Sequence, residues 1–206
     1  MGILPPPLLR VWDHRKSLRI YFPIANIFLR FITALSEKDQ ITYNLVMDDC
    51  ALEFQTGEQL QRLGWRLAVA ESCTGGLVGH RLTNISGSSL YFVGGIIAYA
   101  NEAKMKLLGV NHETLELHGA VSRETVIEMA EGARKAFSVE VALAVSGIAG
   151  PGGRTTDKPV GLVWIGLCAP GYQEAWHYFW QGDRLQVKEQ SAQQALQLLV
   201  NYLSGL

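Results

Sequence analysis

Apolar and polar positions along residues 47–206 form short blocks that predict strands and helices in turn. Strands are predicted where apolar residues run on without interruption, and helices where they recur at every third or fourth position. The predicted strands are 67–70, 91–99, 139–145, 160–167 and 174–180. The predicted helices are one ending at Gly64, then 75–82, 101–109, 111–117, 122–137 and 185–203. This alternation predicts a single layered α/β/α domain.

Local signals refine this prediction. The last two strands are joined by a short turn at 169–171, so they are expected to pair antiparallel in a mixed, mostly parallel sheet. Gly94 and Gly95 within one strand predict a bulge or a close backbone contact. The expected helix caps are Asn101, Asn111, Ser122 and Asp183.

Residues 1–46 differ in composition from the domain at 47–206. They contain a proline run and a basic stretch, and the apolar segment 20–35 is interrupted by Pro23 and Arg30. Neither a spanning helix nor a signal peptide is favoured by such a pattern. A poorly ordered extension is expected. The alternatives are an amphipathic helix over 24–35 and translation that begins at Met47.

Composition narrows the class of protein. The formal net charge of −1 over 206 residues gives no general attraction to nucleic acid or to an anionic membrane. Three widely spaced cysteines, Cys50, Cys73 and Cys168, form neither a disulfide framework nor a zinc pattern. A reducing, cytoplasmic location is therefore expected.

The first candidate site is the turn between the strand 67–70 and the following helix. It places Ser72, Cys73 and Thr74 at a helix N-terminus, near Gly75 and Gly76, where free N–H groups favour an oxyanion or a phosphate. Ser72 is either a nucleophile or a capping residue, and Thr74 is a cap or a substrate contact. Neighbours on an extended strand end point opposite ways, so Cys73 is expected to pack inward.

A nucleophilic serine requires a base. The five histidines offer no convincing partner. Lys104 follows a strand that ends at Tyr99, so it can lie beside Ser72 if the two strands are neighbours, and burial would lower its pKa. Tyr99 would orient Lys104, relay its proton or fill the core. Lys106 is expected on a solvated face of the helix. The alternative for Lys104 is likewise an ordinary surface lysine with no catalytic role.

A second glycine-rich loop spans 146–153 and also follows a strand. It matches neither the P-loop nor the dinucleotide fingerprint. Its freed N–H groups could cradle a phosphate, or the loop could be a mobile lid. Arg184 is either a phosphate clamp or a surface residue.

Seven sequence blocks together resemble the C-terminal domain of CinA, a domain that also occurs as a stand-alone nicotinamide-nucleotide amidohydrolase. The blocks are AESCTGG at 70–76, GSS at 87–89, YANEAKMKLLGV at 99–110, HGAVS at 118–122, VSGIAGPGG at 145–153, KPVG at 158–161 and FWQGDR at 179–184. Residues 1–46 are unlike the usual N-terminal companion domain, which favours a single-domain enzyme. One departure is Ala100, where serine is common; little consequence is expected.

The resemblance implies hydrolysis of nicotinamide mononucleotide to nicotinate mononucleotide and ammonia, without a metal or organic cofactor. It implies Ser72 as nucleophile, Lys104 as base and Tyr99 as an assisting group, with N–H groups near 74–76 receiving the oxyanion. The expected substrate-binding residues are Thr74, Gly75, Gly76, Asn101, Ser146, Gly147, Gly150 and Arg184. The expected partner is a small-molecule pyridine nucleotide, in a possible homo-oligomer that binds neither nucleic acid nor membrane.

The rival hypothesis is a non-catalytic nucleotide-binding or regulatory module linked to competence or DNA damage. A degenerate member would have lost its nucleophile or its base. Both Ser72 and Lys104 are present, which favours the enzyme.

Overall fold

The computed structural model describes residues 51–206, so the predictions for 1–46 and for Met47 lie outside the described residues. Within this range, strands and helices alternate through most of the chain as predicted. The helices are α1 (Ala51–Leu63), α2 (Leu77–Thr83), α3 (Asn101–Leu108), α4 (His112–His118), α5 (Arg123–Phe137) and α6 (Arg184–Ser204). The strands are β1 (Leu67–Glu71), β2 (Phe92–Ile97), β3 (Val141–Gly147), β4 (Leu162–Ala169) and β5 (Tyr172–Phe179).

The five strands form one mixed sheet in the order β2-β1-β3-β4-β5. Strands β2, β1 and β3 are parallel, and β4 and β5 extend them antiparallel, which confirms the predicted α/β fold with its antiparallel final pair. Glu71 at the end of β1 lies beside Ile97 of β2 and Val145 of β3. The chain therefore leaves all three parallel strands at one edge of the sheet, which is where open α/β sheets bind ligands.

Each face of the sheet is covered by helices. Along β1, Leu67 and Val69 pack with the apolar residues of α1, α2 and α6, whereas Ala68 and Ala70 pack with those of α5. Small side chains on the second face let α5 approach closely. A Cβ added at Gly166 of β4 would lie 2.7 Å from the carbonyl oxygen of Val126 in α5. The result is a three-layer α/β/α domain.

Strand β2 contains the predicted bulge. Its pairing shifts from Leu67 with Phe92 to Ala68 with Gly94, so one extra residue is accommodated. A Cβ at Gly95 would lie 2.5 Å from Cγ2 of Val69, so the close approach to β1 requires glycine at this position.

Two of the predicted helix caps are confirmed. The Ser122 hydroxyl accepts the N–H of Thr125 at 3.2 Å at the start of α5. Asp183 caps α6 by accepting the N–H groups of Leu185 and Gln186 at 2.9 Å, and the Gln186 side chain accepts the N–H of Asp183 in return. Such capping boxes fix where a helix begins.

The predictions for the two asparagine caps are wrong in detail. Asn101 is the first residue of α3, and the N-cap position belongs to Ala100, which has no side-chain acceptor. Asn111 occupies the N-cap of α4, but its side chain does not cap; its amide donates to Glu128 at 2.9 Å instead. Across 51–206, no helix is both long and apolar enough to cross a membrane.

Candidate active site

The ends of the three parallel strands surround a cavity of about 160 Å³. Ser72 follows β1, Tyr99 follows β2, and Ser146 and Gly147 end β3. The predicted site residues that line this cavity are Ser72, Tyr99, Asn101, Lys104, Ser146, Gly147 and Arg184. Thr74, Gly75, Gly76 and Gly150 do not line it.

Lys104 is the most buried ionisable group of the cavity, with 1% of its surface exposed. Its Nζ lies 3.1 Å from Oγ of Ser72, 3.0 Å from the carbonyl oxygen of Ala98 and 3.1 Å from that of Tyr99. An uncharged amine has two N–H bonds and one lone pair. In its uncharged form, Lys104 can donate these two N–H bonds to the carbonyls and direct its lone pair at the Ser72 hydroxyl.

Burial also sets the charge of this amine. Removal from water lowers the pKa of Lys104, and the neighbouring Cys73 thiol opposes this shift more weakly. Among the ion pairs of residues 51–206, none joins a carboxylate to Lys104 and so none stabilises its ammonium form. The environment therefore favours a lysine that can act as a base.

The main chain of Ser72 is hydrogen-bonded on both sides. Its N–H donates to the carbonyl of Val145 at 2.9 Å, which continues the pairing of β1 with β3. Its carbonyl accepts the N–H of Gly75 at 3.2 Å, which closes a tight turn directly after the nucleophile position. The hydroxyl is thus positioned at the point where the chain leaves the sheet.

At the N-terminus of α2, where an oxyanion or a phosphate is expected from the sequence, the structure places a side chain of the protein itself. The carboxylate of Glu71, which is 2% exposed, accepts the N–H groups of Gly76 at 2.9 Å, Val78 at 3.2 Å and Gly79 at 2.9 Å. The chain's own negative charge therefore occupies the positive end of this helix. Sequence analysis missed this function of Glu71.

The thiol of Cys73 packs inward, in agreement with the alternation of a strand end. The residue is buried with the apolar cluster beneath α2 and α6, although its edge reaches the cavity. Burial raises the pKa of the Cys73 thiol to about 12. The thiolate, which is the nucleophilic form, is therefore scarce at neutral pH.

Tyr99 and Arg184 form the rim of the cavity. The Tyr99 side chain is 60% exposed, so it does not fill the core, and it is the backbone carbonyl that holds Lys104. The phenol oxygen of Tyr99 accepts a hydrogen bond from Nη2 of Arg184 at 2.9 Å. Nη1 of Arg184 donates to the carbonyl of Gly150 at 2.7 Å. A guanidinium charge is thus fixed at the cavity entrance.

The loop before α5 supplies a wall that sequence analysis did not assign. Ala120 and Val121 line the cavity, and the hydroxyl of Ser146 donates to the Ala120 carbonyl at 2.6 Å. The side chains of Ala120 and Val121 have no polar or ionisable group. The only sequence signal for them was their place in the HGAVS block.

The histidines of the described part of the chain do not contribute to the cavity. His80 and His118 are exposed and neither lines it. Within residues 51–206, no three His, Cys, Asp or Glu side chains are grouped as metal ligands would be. The cavity does contain a hydroxyl and an amine in contact, Ser72 and Lys104.

Known proteins share this sequence and fold. The family profile described as the CinA C-terminal domain matches residues 49–203. A CinA-like protein from Syntrophobacter fumaroxidans is 48% identical over 157 residues, which are 76% of this chain and 37% of that protein. Another from Chloroherpeton thalassium is 47% identical over 168 residues, 79% of this chain and 40% of that one.

The fold has solved relatives. The crystal structure of a competence-damaged protein (CinA) superfamily protein from Klebsiella pneumoniae matches with a TM-score of 0.74 at 33% identity, covering 76% of this chain and 98% of that chain. The chain spans about two fifths of the length of the two CinA-like proteins. With a profile match over most of its length, the chain belongs to the CinA C-terminal domain family.

Proposed function

We propose that this protein is a nicotinamide-nucleotide amidohydrolase that converts nicotinamide mononucleotide and water to nicotinate mononucleotide and ammonia in NAD recycling. The observation that carries the proposal is the 3.1 Å contact between Oγ of Ser72 and Nζ of Lys104 inside the cavity. A serine beside a lysine whose pKa is lowered by burial provides the nucleophile and the base that acyl transfer requires.

The size and polarity of the cavity fit the reacting part of such a substrate. At about 160 Å³ it is smaller than the roughly 300–1,000 Å³ of pockets that enclose drug-sized ligands. It therefore suits one aromatic ring with its carboxamide, against the apolar surface of Ala120, Val121 and Ala149. The ribose phosphate would lie at the rim, where Arg184 and Asn101 supply a positive charge and an amide.

In the first half-reaction, Oγ of Ser72 bonds to the carboxamide carbon while Nζ of Lys104 accepts the hydroxyl proton. The carbonyl electrons move to oxygen and form a tetrahedral oxyanion. When the carbon–nitrogen bond breaks, the Lys104 ammonium gives its proton to the departing amide nitrogen, which leaves as ammonia. Lys104 is then neutral again, and Ser72 carries the acyl group.

In the second half-reaction, water attacks the acyl carbon and Lys104 accepts a proton from it. Collapse of the second oxyanion breaks the bond to Oγ, and Lys104 returns the proton to Ser72. One water is consumed, and the acid and one ammonia are released. The two carbonyls that accept from Lys104 keep its Nζ aimed at the reacting atoms throughout.

Ammonia release, measured across pyridine nucleotides and their nucleosides, tests the proposal. Nicotinamide mononucleotide is expected to be turned over and the nucleoside to react poorly, because it lacks the phosphate that Arg184 would bind. Ser72→Ala is expected to abolish turnover while retaining nucleotide binding. Binding without turnover by the unmodified protein would favour the non-catalytic module instead.

Cys73 provides the matched control for the nucleophile. Because its thiol is buried and protonated, Cys73→Ala is expected to keep most of the activity. Turnover that survives Ser72→Ala and is lost in Cys73→Ala would assign the nucleophile to the thiol.

A further inference from the structure

The turn that carries Ser72 has few free donors for the oxyanion. The N–H of Gly75 donates to the Ser72 carbonyl, and that of Gly76 donates to the Glu71 carboxylate. Two of the three donors expected at 74–76 are therefore engaged within the chain, and the third belongs to Thr74, which does not line the cavity.

The end of β3 presents an N–H group towards Ser72. Ile148 donates its N–H to Leu162 at 2.8 Å, on the side of β4. Successive N–H groups of a strand point to opposite sides, so the N–H of Gly147 points to the side of β1. The hydrogen bond from the Ser72 N–H to the Val145 carbonyl lies on that side, and Val145 is two residues before Gly147.

This N–H of Gly147 has no partner within the described residues. A regular parallel ladder would continue with a bond from Gly147 to the Ser72 carbonyl. The pairing of β1 with β3 stops at Glu71 and Val145, and the Ser72 carbonyl accepts from Gly75 instead. The ladder thus breaks at the nucleophile and leaves one donor that faces it.

The position also requires glycine. A Cβ at Gly147 would lie 2.6 Å from Cγ2 of Val163 and 2.8 Å from the carbonyl oxygen of Leu162, so β4 leaves no room for a side chain. Gly147 lines the same cavity as Ser72 and Lys104. We infer that the Gly147 N–H is a catalytic donor that receives the oxyanion during carboxamide hydrolysis, an inference that rests on the proposed function.

A single-atom replacement tests this role. Glycolic acid introduced in place of Gly147 by cell-free translation converts the amide to an ester and removes the N–H alone. Loss of one oxyanion donor lowers kcat by about 10²–10³-fold, so a fall of this size is expected, with KM for nicotinamide mononucleotide little changed. The control is glycolic acid in place of Gly171, an exposed glycine between β4 and β5 with no atom within 4 Å of its Cβ position, and its kcat is expected to be unchanged.

The outcomes separate the inference from the proposed function. An unchanged kcat in the Gly147 ester would overturn the inference and leave the hydrolase account standing. No ammonia release by the unmodified protein would overturn both. If the ester does not fold, a crystal structure with pyridine-3-boronic acid bonded to Ser72 replaces it. A boronate oxygen about 2.7–3.1 Å from the Gly147 nitrogen is then expected, and one turned away from Gly147 would overturn the inference.

Discussion

Nζ of Lys104 lies 3.1 Å from Oγ of Ser72 although the two residues are 32 positions apart in the chain. Their meeting follows from the sheet. Strands β1 and β2 are parallel neighbours, so the chain leaves both at the same edge. Helix α3 begins four residues after β2, and its first turn brings Lys104 back onto the carbonyls of Ala98 and Tyr99. The base is thus fixed by main-chain acceptors that substitution of neighbouring side chains does not remove.

Lys104→Met is expected to lower kcat for ammonia release by about 10²–10⁴-fold, the usual contribution of a general base. Methionine retains the apolar stem but cannot accept the Ser72 proton. The matched control is Lys106→Met on the same helix, because Lys106 is exposed and does not line the cavity. Steady-state kinetics checks both variants, and equal activity in the two would mean that another group is the base.

The pH dependence of kcat/KM is expected to follow the charge of Lys104. Only the neutral amine accepts a proton, so activity falls as pH decreases through the pKa of Lys104. Because burial lowers that pKa, the midpoint of the rise is expected below the ordinary value of about 10.4. A pH–rate profile in overlapping buffers at constant ionic strength measures this midpoint. A rise centred at the ordinary lysine value would contradict a buried, neutral base.

Ala100→Ser is expected to raise the free energy of unfolding by about 0.5–2 kcal/mol, the typical gain from a side-chain N-cap. Ala100 is exposed and has the extended backbone of an N-cap, with φ −83° and ψ 158°, so a serine hydroxyl can accept an N–H of α3. A serine at position 100 is therefore expected to have more effect than the small change in side chain suggests. Ala103→Ser, inside the same helix, is the control and is expected to lower stability slightly. Urea denaturation that shows no gain in the first variant would argue against this helix start.

Glu71→Gln is expected to cost about 1–3 kcal/mol of folding free energy. The NH₂ group of the new glutamine would face backbone N–H donors that now bind a carboxylate oxygen, and two donors cannot hydrogen-bond to each other. The control is Glu102→Gln, an exposed residue in the first turn of α3, where only the weaker helix-dipole effect is lost. Chemical denaturation of the two variants gives the comparison. An equal loss at both positions would show that Glu71 does not hold the Ser72 turn.

The position of Lys104 could be predicted from the sequence, whereas the role of Glu71 could not. Ser72 and Lys104 each follow a strand end, and neighbouring parallel strands bring such residues together. Strand alternation places Glu71 on the same face as Leu67 and Val69. Which face α2 covers depends on the side of β1 on which β2 lies, because these crossovers are right-handed. Strand order is a property of the whole sheet, and no local pattern encodes it.

The free donor of Gly147 was beyond sequence analysis for a related reason. It exists because the pairing of β3 with β1 stops at Val145, while the hydrogen bonds on the β4 side continue to Ile148. Ala120 and Val121 were missed because apolar loop residues carry no signal until the fold places them at a cavity. The one-residue error at Asn101 arose because asparagine is a favoured cap, whereas the start of α3 at Asn101 places Lys104 over the end of β2.

The central claim is that Lys104 is an uncharged amine beside Ser72, and its own titration tests this most directly. Lysine labelled with ¹⁵N at Nζ, assigned by comparison with Lys104→Met, can be followed by NMR as pH is varied. The account predicts that the pKa of Lys104 lies below the ordinary value of about 10.4 and coincides with the midpoint of the kcat/KM profile. A Lys104 signal that titrates at the ordinary value, or that stays charged where the enzyme is fully active, would contradict it.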